Sequence, residues 1–276
     1  MNLELLPAHE IPLAEQASIF NRSFAGYLAG WSDLDAAALA RFICAQGADL
    51  CYSRFLKADG GLPGFGYVNR TGYVTRIAGM GVVPDFRGTG AAAFLLSTLI
   101  DEAKTRGDEA VVLEVFEQNL TALNLYRRHG FRELMRLPGW RRAPTEDNQT
   151  ADNLEEISLL SANQMQSPSE FPQIPWQVSR HSVTKLANAR AYKIDNVCVV
   201  IGNPDVSPIR LHALLSPDID IADRVRKAVA AVTGKFSRSE FFAPPIFPER
   251  FGTDIFQPLG FVREKLNQFL MRRDLH

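Results

Sequence analysis

Gly79-Met80-Gly81-Val82-Val83-Pro84-Asp85-Phe86-Arg87-Gly88-Thr89-Gly90-Ala91-Ala92 runs directly into the apolar stretch Ala93-Phe94-Leu95-Leu96-Ser97-Thr98-Leu99-Ile100. Upstream, alternating and β-branched residues from Tyr73 to Val83 predict a strand, which Pro84 closes because it has no N–H to give a ladder. Downstream, Leu95, Leu99 and Ala103 recur at helical spacing, Leu96 and Ile100 fill the adjoining row, and Gly107 supplies a stop. Arg87-Gly88-Thr89-Gly90 is therefore a turn that opens a helix. The first N–H groups of a helix lack internal partners and sit at the positive end of its dipole, so a turn of small residues lets a pyrophosphate approach them. Arg87 adds a permanent cation.

The rest of the chain bounds what such a site can belong to. Its 276 residues allow two modest domains. Thirty Lys plus Arg nearly balance thirty-one Asp plus Glu, so no global field marks nucleic acid or a membrane surface as the partner. The longest apolar runs fall short of the roughly twenty residues of a membrane span. Met1-Asn2-Leu3-Glu4 lacks the basic start of a signal sequence, which gives a cytoplasmic reading. Cys44, Cys51 and Cys198 have neither disulfide nor metal-ligand spacing and are expected to be buried, reduced thiols; no metal is expected.

Arg87-x-x-Gly90-x-Ala92, with Val83-Pro84 before it, resembles the Q/R-x-x-G-x-G/A signature of the GNAT superfamily of N-acetyltransferases. No Gly-Lys-Ser/Thr is present for a nucleotide P-loop, and Ala93 stands where the dinucleotide fingerprint needs its third glycine. A second segment supports the resemblance. Val111-Val112-Leu113-Glu114-Val115 is a β run, and Asn119-Leu120-Thr121-Ala122-Leu123-Asn124-Leu125-Tyr126 leads to His129-Gly130-Phe131, similar to the family's N-x-x-A-x-x-L-Y helix and G-F turn.

The resemblance implies an α/β (α+β) GNAT fold: a mixed, mostly antiparallel sheet in which parallel strands four and five splay apart to admit the arm of coenzyme A. Before the opening stretch, Leu3 to Leu6 and the hairpin Leu50–Lys57 with Gly64–Asn69, joined through Asp59, read as strands; Ile11 to Tyr27 and a segment capped by Ser32 or Asp33 read as helices. Phe20, Phe24, Tyr27 and Trp31 form either core packing or an apolar wall for the acceptor. Residues 1–143 form this domain and 144–175 read as a linker with one short helix near Leu154 to Leu160, its 164–170 part mobile. Late in residues 176–276, Gly260-Phe261-Val262-Arg263 followed by Gln268 to Arg273 resembles the close of a smaller GNAT-like domain. There Ser216 to Ala222 replaces the arginine and glycines of the turn, so this domain is expected not to bind coenzyme A.

Residue by residue, the resemblance implies acetyl-CoA as the cofactor, held by the backbone of Gly81, Val82 and Val83, the turn Arg87, Gly88, Thr89, Gly90, Ala91 and Ala92, and Asn119, which also reads as a helix cap. Tyr126 would give a proton to the departing sulfur. Positions 119 and 126 are seven apart, so in one continuous helix both side chains leave on the same face. Arg76, Ala78, Met80 and Val82 are expected on one face of strand four and Ile77, Gly79 and Gly81 on the other, with no carboxylate among them. Glu114 and Glu117 are the nearest base candidates, each otherwise a solvated or paired surface charge, and a water relay to bulk solvent or an acceptor that arrives neutral is the equal alternative. His129 reads as structural. The expected activity is N-acetyl transfer to a small amine or a peptide or protein N-terminus, in a monomer or homodimer without nucleic-acid or membrane partners. The alternative is a non-catalytic acyl-CoA sensor or protein-interaction module.

Overall fold

The computed structural model describes residues 3–28, 30, 33–58, 60–146, 153–165, 171–216 and 222–276. Trp31, Ser32, Asp59, the segment 166–170 and most of the Ser216 to Ala222 turn lie outside the described residues. Two compact units divide the chain: Met1–Leu134 with Leu270–His276, and Met135–Phe269.

In the first unit, β1 (Glu4–Pro7) leads to α1 (Leu13–Phe24) and α2 (Ala36–Ala45). Gln16 fixes the start of α1: its Nε2 donates to the carbonyls of Ala8 (2.8 Å) and Ile11 (2.7 Å), and its Oε1 accepts from the Tyr67 hydroxyl (2.9 Å). Asp35, rather than Ser32 or Asp33, caps α2 by accepting from the Ala38 N–H at 2.7 Å. β2 (Asp49–Ala58), β3 (Gly61–Thr71) and β4 (Val74–Val82) continue from β1 as an antiparallel meander. α3 (Ala91–Thr105) then crosses to β5 (Ala110–Phe116), which lies parallel to β4. α4 (Leu120–Arg128) and the start of β6 (Arg132–Arg142) follow.

Two apolar layers hold this sheet. Phe20, Leu39, Phe55, Phe65 and Tyr67 pack under α1 and α2, and Leu56, Val68, Leu95 and Leu99 pack under α3. Phe20 is thus a core residue. Full burial of each such side chain contributes about 1.5–3 kcal/mol.

β4 departs from simple alternation. Opposite β3, Val68 pairs with Ile77 and Tyr67 with Gly79, so Ala78 is an extra, bulged residue. The bulge reverses the faces beyond it. Arg76 reaches the C-terminal end of α2, and the vacant side of Gly81 lies against Ser23 of α1, whereas Met80 and Val82 pack with the α3 layer. The expectation that Arg76, Met80 and Val82 share a face is corrected on this ground.

The second unit opens with the remainder of β6, which runs through Pro138 and Gly139. It contains β7 (Glu155–Ile157), α5 (Leu159–Gln164), α6 (Arg180–Val183), β8 (Arg190–Ile194), β9 (Val197–Ile201), β10 (Ile209–Leu215), α7 (Ala222–Lys235), β11 (Phe241–Ala243) and most of β12 (Val262–Asp274). β7 to β10 form an antiparallel meander, and β11 lies parallel to β10, repeating the order of the first unit.

The compact units and the divisions read from composition differ in two places. β7 pairs with β8, and Ala162 of α5 is buried with Val183, Ala191 and Cys198, so part of 144–175 is built into the second unit. A three-residue strand and a six-residue helix are too short to show periodicity. At the other end, β12 passes into the first unit at residue 270: Leu270, Met271 and Leu275 are buried, the Leu275 N–H donates to Glu109 O (2.9 Å), and Arg273 Nη1 donates to His129 O (2.8 Å). Removing residues 270–276 takes three apolar side chains from the first unit, a loss of about 5 kcal/mol or more. That approaches the whole stability of a marginal domain. A chain ending at 269, or a 1–143 fragment, is expected to lose its cooperative thermal transition or show it far below that of the full chain.

Candidate functional site

The site grows from the point at which β4 and β5 part. Their parallel pairing runs from Val74 opposite Ala110 to Ile77 opposite Leu113 and ends there, although β4 continues to Val82 and β5 to Phe116. At the closed end, buried Asp108 accepts from Thr75 Oγ1 (2.6 Å) and Arg70 Nε (2.7 Å). At the open end, half-buried Ala78, Gly79, Met80 and Gly81 line the gap. A Cβ on Gly79 would meet nothing within 4 Å, whereas one on Gly81 would lie 2.8 Å from Ser23 Cβ and 3.0 Å from Phe65 Cε1. Gly81 is therefore demanded by close packing on α1.

The turn beyond β4 takes its shape from Gly88 (φ +77°) and Gly90 (φ +92°), both left-handed, and from Thr89, whose hydroxyl donates to Phe86 O at 2.8 Å. Gly90 caps α3 without a side chain. Phe94 is the first residue of that helix to bond back, to Gly90 O at 2.9 Å, so the N–H groups of Ala91 and Ala92 lie at the end of the helix before its internal bonding begins. The Arg87 side chain turns inward: Nε donates to Val82 O (3.2 Å) and Nη2 to Ser23 O (3.0 Å), bracing the strand end against α1. The Val83 N–H donates to Pro63 O (2.8 Å). Val82 O and the Val83 N–H are thus committed within the protein.

Asn119 caps α4: its Oδ1 accepts from the Ala122 N–H (3.1 Å) while its Nδ2 donates to the Tyr27 hydroxyl (3.3 Å). Tyr27 in turn packs its ring on Phe24 (5.0 Å) and Phe116 (5.9 Å). Tyr126 is buried with its ring edge-on to Phe131, and its hydroxyl has no hydrogen-bond partner among the described residues. Burial, with the nearby Tyr27 adding to it, raises the Tyr126 pKa, so the phenol keeps its proton. Tyr27 was read only as a packing or wall residue. Its link to Asn119 joins positions 92 apart and left no signal in the sequence.

Glu114 is held by Arg76 of β4. Arg76 Nε lies 3.1 and 2.9 Å from its two carboxylate oxygens and Nη2 lies 2.8 Å from Oε2, with side-chain exposures of 1% for Arg76 and 4% for Glu114. Both oxygens therefore face a guanidinium, and Glu114 is half of a buried ion pair. Glu117 stands half-buried just past β5. His129 closes α4, its Nδ1 2.8 Å from Leu125 O.

Cys44 and Cys51 are exposed, contrary to expectation, since they lie on the outward faces of α2 and β2. Cys198 is buried, and desolvation pushes its thiol up to about 12, far from a nucleophilic thiolate at neutral pH. Among the described residues no group of His, Cys, Asp and Glu is arranged to hold a metal ion, and no helix is long and apolar enough to cross a membrane.

The second unit contains the corresponding framework with a different filling. β10 and β11 pair only at Ile209–Phe241 and Arg210–Phe242, and the register against β9 slips by one residue at His212. Ile246 and Phe247, which follow β11, are buried in one apolar cluster with Leu211, Leu214, Val225, Val229 and Ala243. Burial and the neighbouring Arg210 push His212 down to about 3, so it is neutral.

Residues 16–131 match the family model described as the acetyltransferase (GNAT) family. Over 61 residues the chain is 43% identical to an uncharacterized N-acetyltransferase of Methanocaldococcus jannaschii, a match covering 22% of this chain and 27% of that relative. The likeness in sequence thus spans under a third of the relative's length. Among solved structures, a GCN5-related N-acetyltransferase from Sphaerobacter thermophilus aligns with a TM-score of 0.64 at 14% identity, over 99% of this chain and 96% of that one. One from Anabaena variabilis aligns with a TM-score of 0.67 at 14% identity, over 100% and 73%. At such identity the likeness is one of fold. The match to the acetyltransferase (GNAT) family lies within the first unit, where the signature turn and the parted strands also lie.

Proposed function

We propose that the first unit transfers an acetyl group from acetyl-CoA to a primary amine, carried by a small molecule or by a peptide or protein N-terminus, by direct attack in a ternary complex. The observation that carries this reading is a conjunction within one unit: a stretch of β4 that has parted from β5 leads to the left-handed Gly88 and Gly90 and the bare end of α3. The fit to the cofactor is physical. A Cβ at Gly79, Gly88 or Gly90 would point into open space, so the backbone there is accessible.

When bound, acetyl-CoA supplies the thioester carbon that the amine attacks. The turn from Arg87 to Ala92 would hold the pyrophosphate through N–H groups and the dipole of α3, with Arg87 shaping the turn through its two backbone contacts. Gly81 of β4 and Asn119 would line the pantetheine arm, Asn119 by exchanging its bond to Tyr27. Tyr126, protonated at neutral pH, would offer its phenol O–H as a hydrogen-bond donor to the departing sulfur. The apolar filling around Phe247 and Ile246 supports a single cofactor site per chain, with a degenerate second domain. We read the protein as cytoplasmic and as a monomer or homodimer, without nucleic-acid or membrane partners.

The engagement of Glu114 by Arg76 favours one rival, a non-catalytic acyl-CoA sensor. Turnover against a panel of primary amines separates the two: acetyl transfer above the hydrolysis background supports the enzyme, and cofactor binding without transfer to any amine supports the sensor. Gly90→Val combines a strained left-handed φ with a side chain in the open approach, and is expected to weaken acetyl-CoA binding by about a hundredfold or more, roughly 2.7 kcal/mol. Unchanged affinity would remove the phosphate-binding role of this turn. Tyr126→Phe is expected to lower kcat by about a hundredfold with acetyl-CoA affinity within about twofold; an equal loss of binding and stability would make Tyr126 a packing residue.

A further inference from the structure

The Arg76–Glu114 pair sits at a particular place in the sheet. Arg76 is opposite Val112 and Ile77 opposite Leu113, and the pairing ends there. Glu114 is the first residue of β5 beyond the last pair, and its carboxylate returns diagonally to Arg76, the residue before the last paired position of β4. The remaining reach of the guanidinium goes to α2: Nη2 donates to Gln46 Oε1 at 3.0 Å and Nη1 lies 3.4 Å from Gln46 O. One buried cluster thus ties β4, β5 and the end of α2 at the fork. Asp108 performs the same service at the closed end through Thr75 and Arg70. Asp108, just before β5, and Glu114 flank the four positions of β5 that pair with β4.

We propose that Glu114 is a positioning residue which, through Arg76 and Gln46, fixes the point at which β4 and β5 part and hence the width of the gap that receives the acyl-carrying arm. The inference rests on the acetyl-CoA reading of that gap. Among the described residues Glu114 faces Arg76 from β4, and α2 contributes the uncharged Gln46. Both carboxylate oxygens already accept from Arg76, which gives the carboxylate a fixed partner other than an acceptor amine. The amine then reaches the site neutral or loses its proton to solvent, so the protonation of the acceptor governs the pH dependence of the reaction. Weakly basic amines, such as the α-amino group of an amino acid or peptide, are the acceptor class this favours over strongly basic lysine-type amines: their unperturbed pKa values are about 8 against about 10.

The test uses the full-length protein, wild type and Glu114→Gln, with two acceptors of different amine pKa. Calorimetry first gives acetyl-CoA affinity. If the wild type does not bind, the proposed function itself fails, independently of Glu114. If it binds, the positioning role predicts that Glu114→Gln weakens acetyl-CoA by about fivefold or more. It also predicts that the rising limb of kcat/KM against pH persists in the variant and shifts with the amine used. A base role predicts the opposite: kcat lower by about a hundredfold or more at unchanged cofactor affinity, and loss of a limb that is common to both amines. That result, or wild-type behaviour in every measurement, overturns the proposal. Should Glu114→Gln fail to fold, Arg76→Met with Glu114→Leu replaces the pair by apolar side chains and avoids a lone buried charge. Weakened acetyl-CoA binding by this folded double variant supports the clamp, and wild-type affinity overturns it.

Discussion

The structure depends on where a parallel ladder stops. β4 and β5 share hydrogen bonds only as far as Ile77 and Leu113, and every feature of the candidate site follows from the backbone set free beyond that point. The bulge at Ala78 supplies the local cause. One extra residue in β4 breaks the alternation, turns Met80 and Val82 toward α3 and brings the bare face of Gly81 against α1. Side chains at Gly79 or Gly81 would crowd the gap or the helix, and a turn without glycine could not take the left-handed conformations that lead into α3. The polar clusters at Asp108 and at Arg76–Glu114 bracket the short paired segment. Each removes charged groups from water, so what they contribute is definition of place more than net stability.

Much of this was legible in the residues. The Gly88–Gly90 turn, the apolar rows of α3, the Asn119 cap and the Leu125-Tyr126 to Gly130-Phe131 close all carry short-range signals, because capping, left-handed turns and helical spacing act within a few residues. The bulge did not. Its cause is a register shift against β3, which depends on packing between strands and cannot be read from β4 alone. The partner of Glu114 was hidden for a related reason, since Arg76 lies 38 positions away and an isolated glutamate on a strand looks the same whether paired, solvated or basic. Tyr27 belongs with these long-range cases, and so does the exposure of Cys44 and Cys51, which depends on the face each element presents.

The division of the chain was the hardest feature to read. Composition changes near Thr145, yet β6 continues through Pro138 and Gly139 to Arg142, and the last residues of β12 belong to the first unit. β6 and β12 each run through the boundary between units without a break in the strand, so nothing local in the sequence marks the crossing. The second unit keeps the meander, the slipped register and a parting parallel pair, while large apolar residues fill the space next to it. Retention of a framework with replacement of its filling is what a domain kept for structure would show.

The central claim is a single acyl-CoA site built by the first unit. Calorimetric titration of the full-length protein with acetyl-CoA, alongside free coenzyme A, tests it most directly. The account predicts saturable binding with one site per chain. Two sites per chain would contradict the reading of the second unit, and no binding would contradict the reading of the parted strands and the glycine turn.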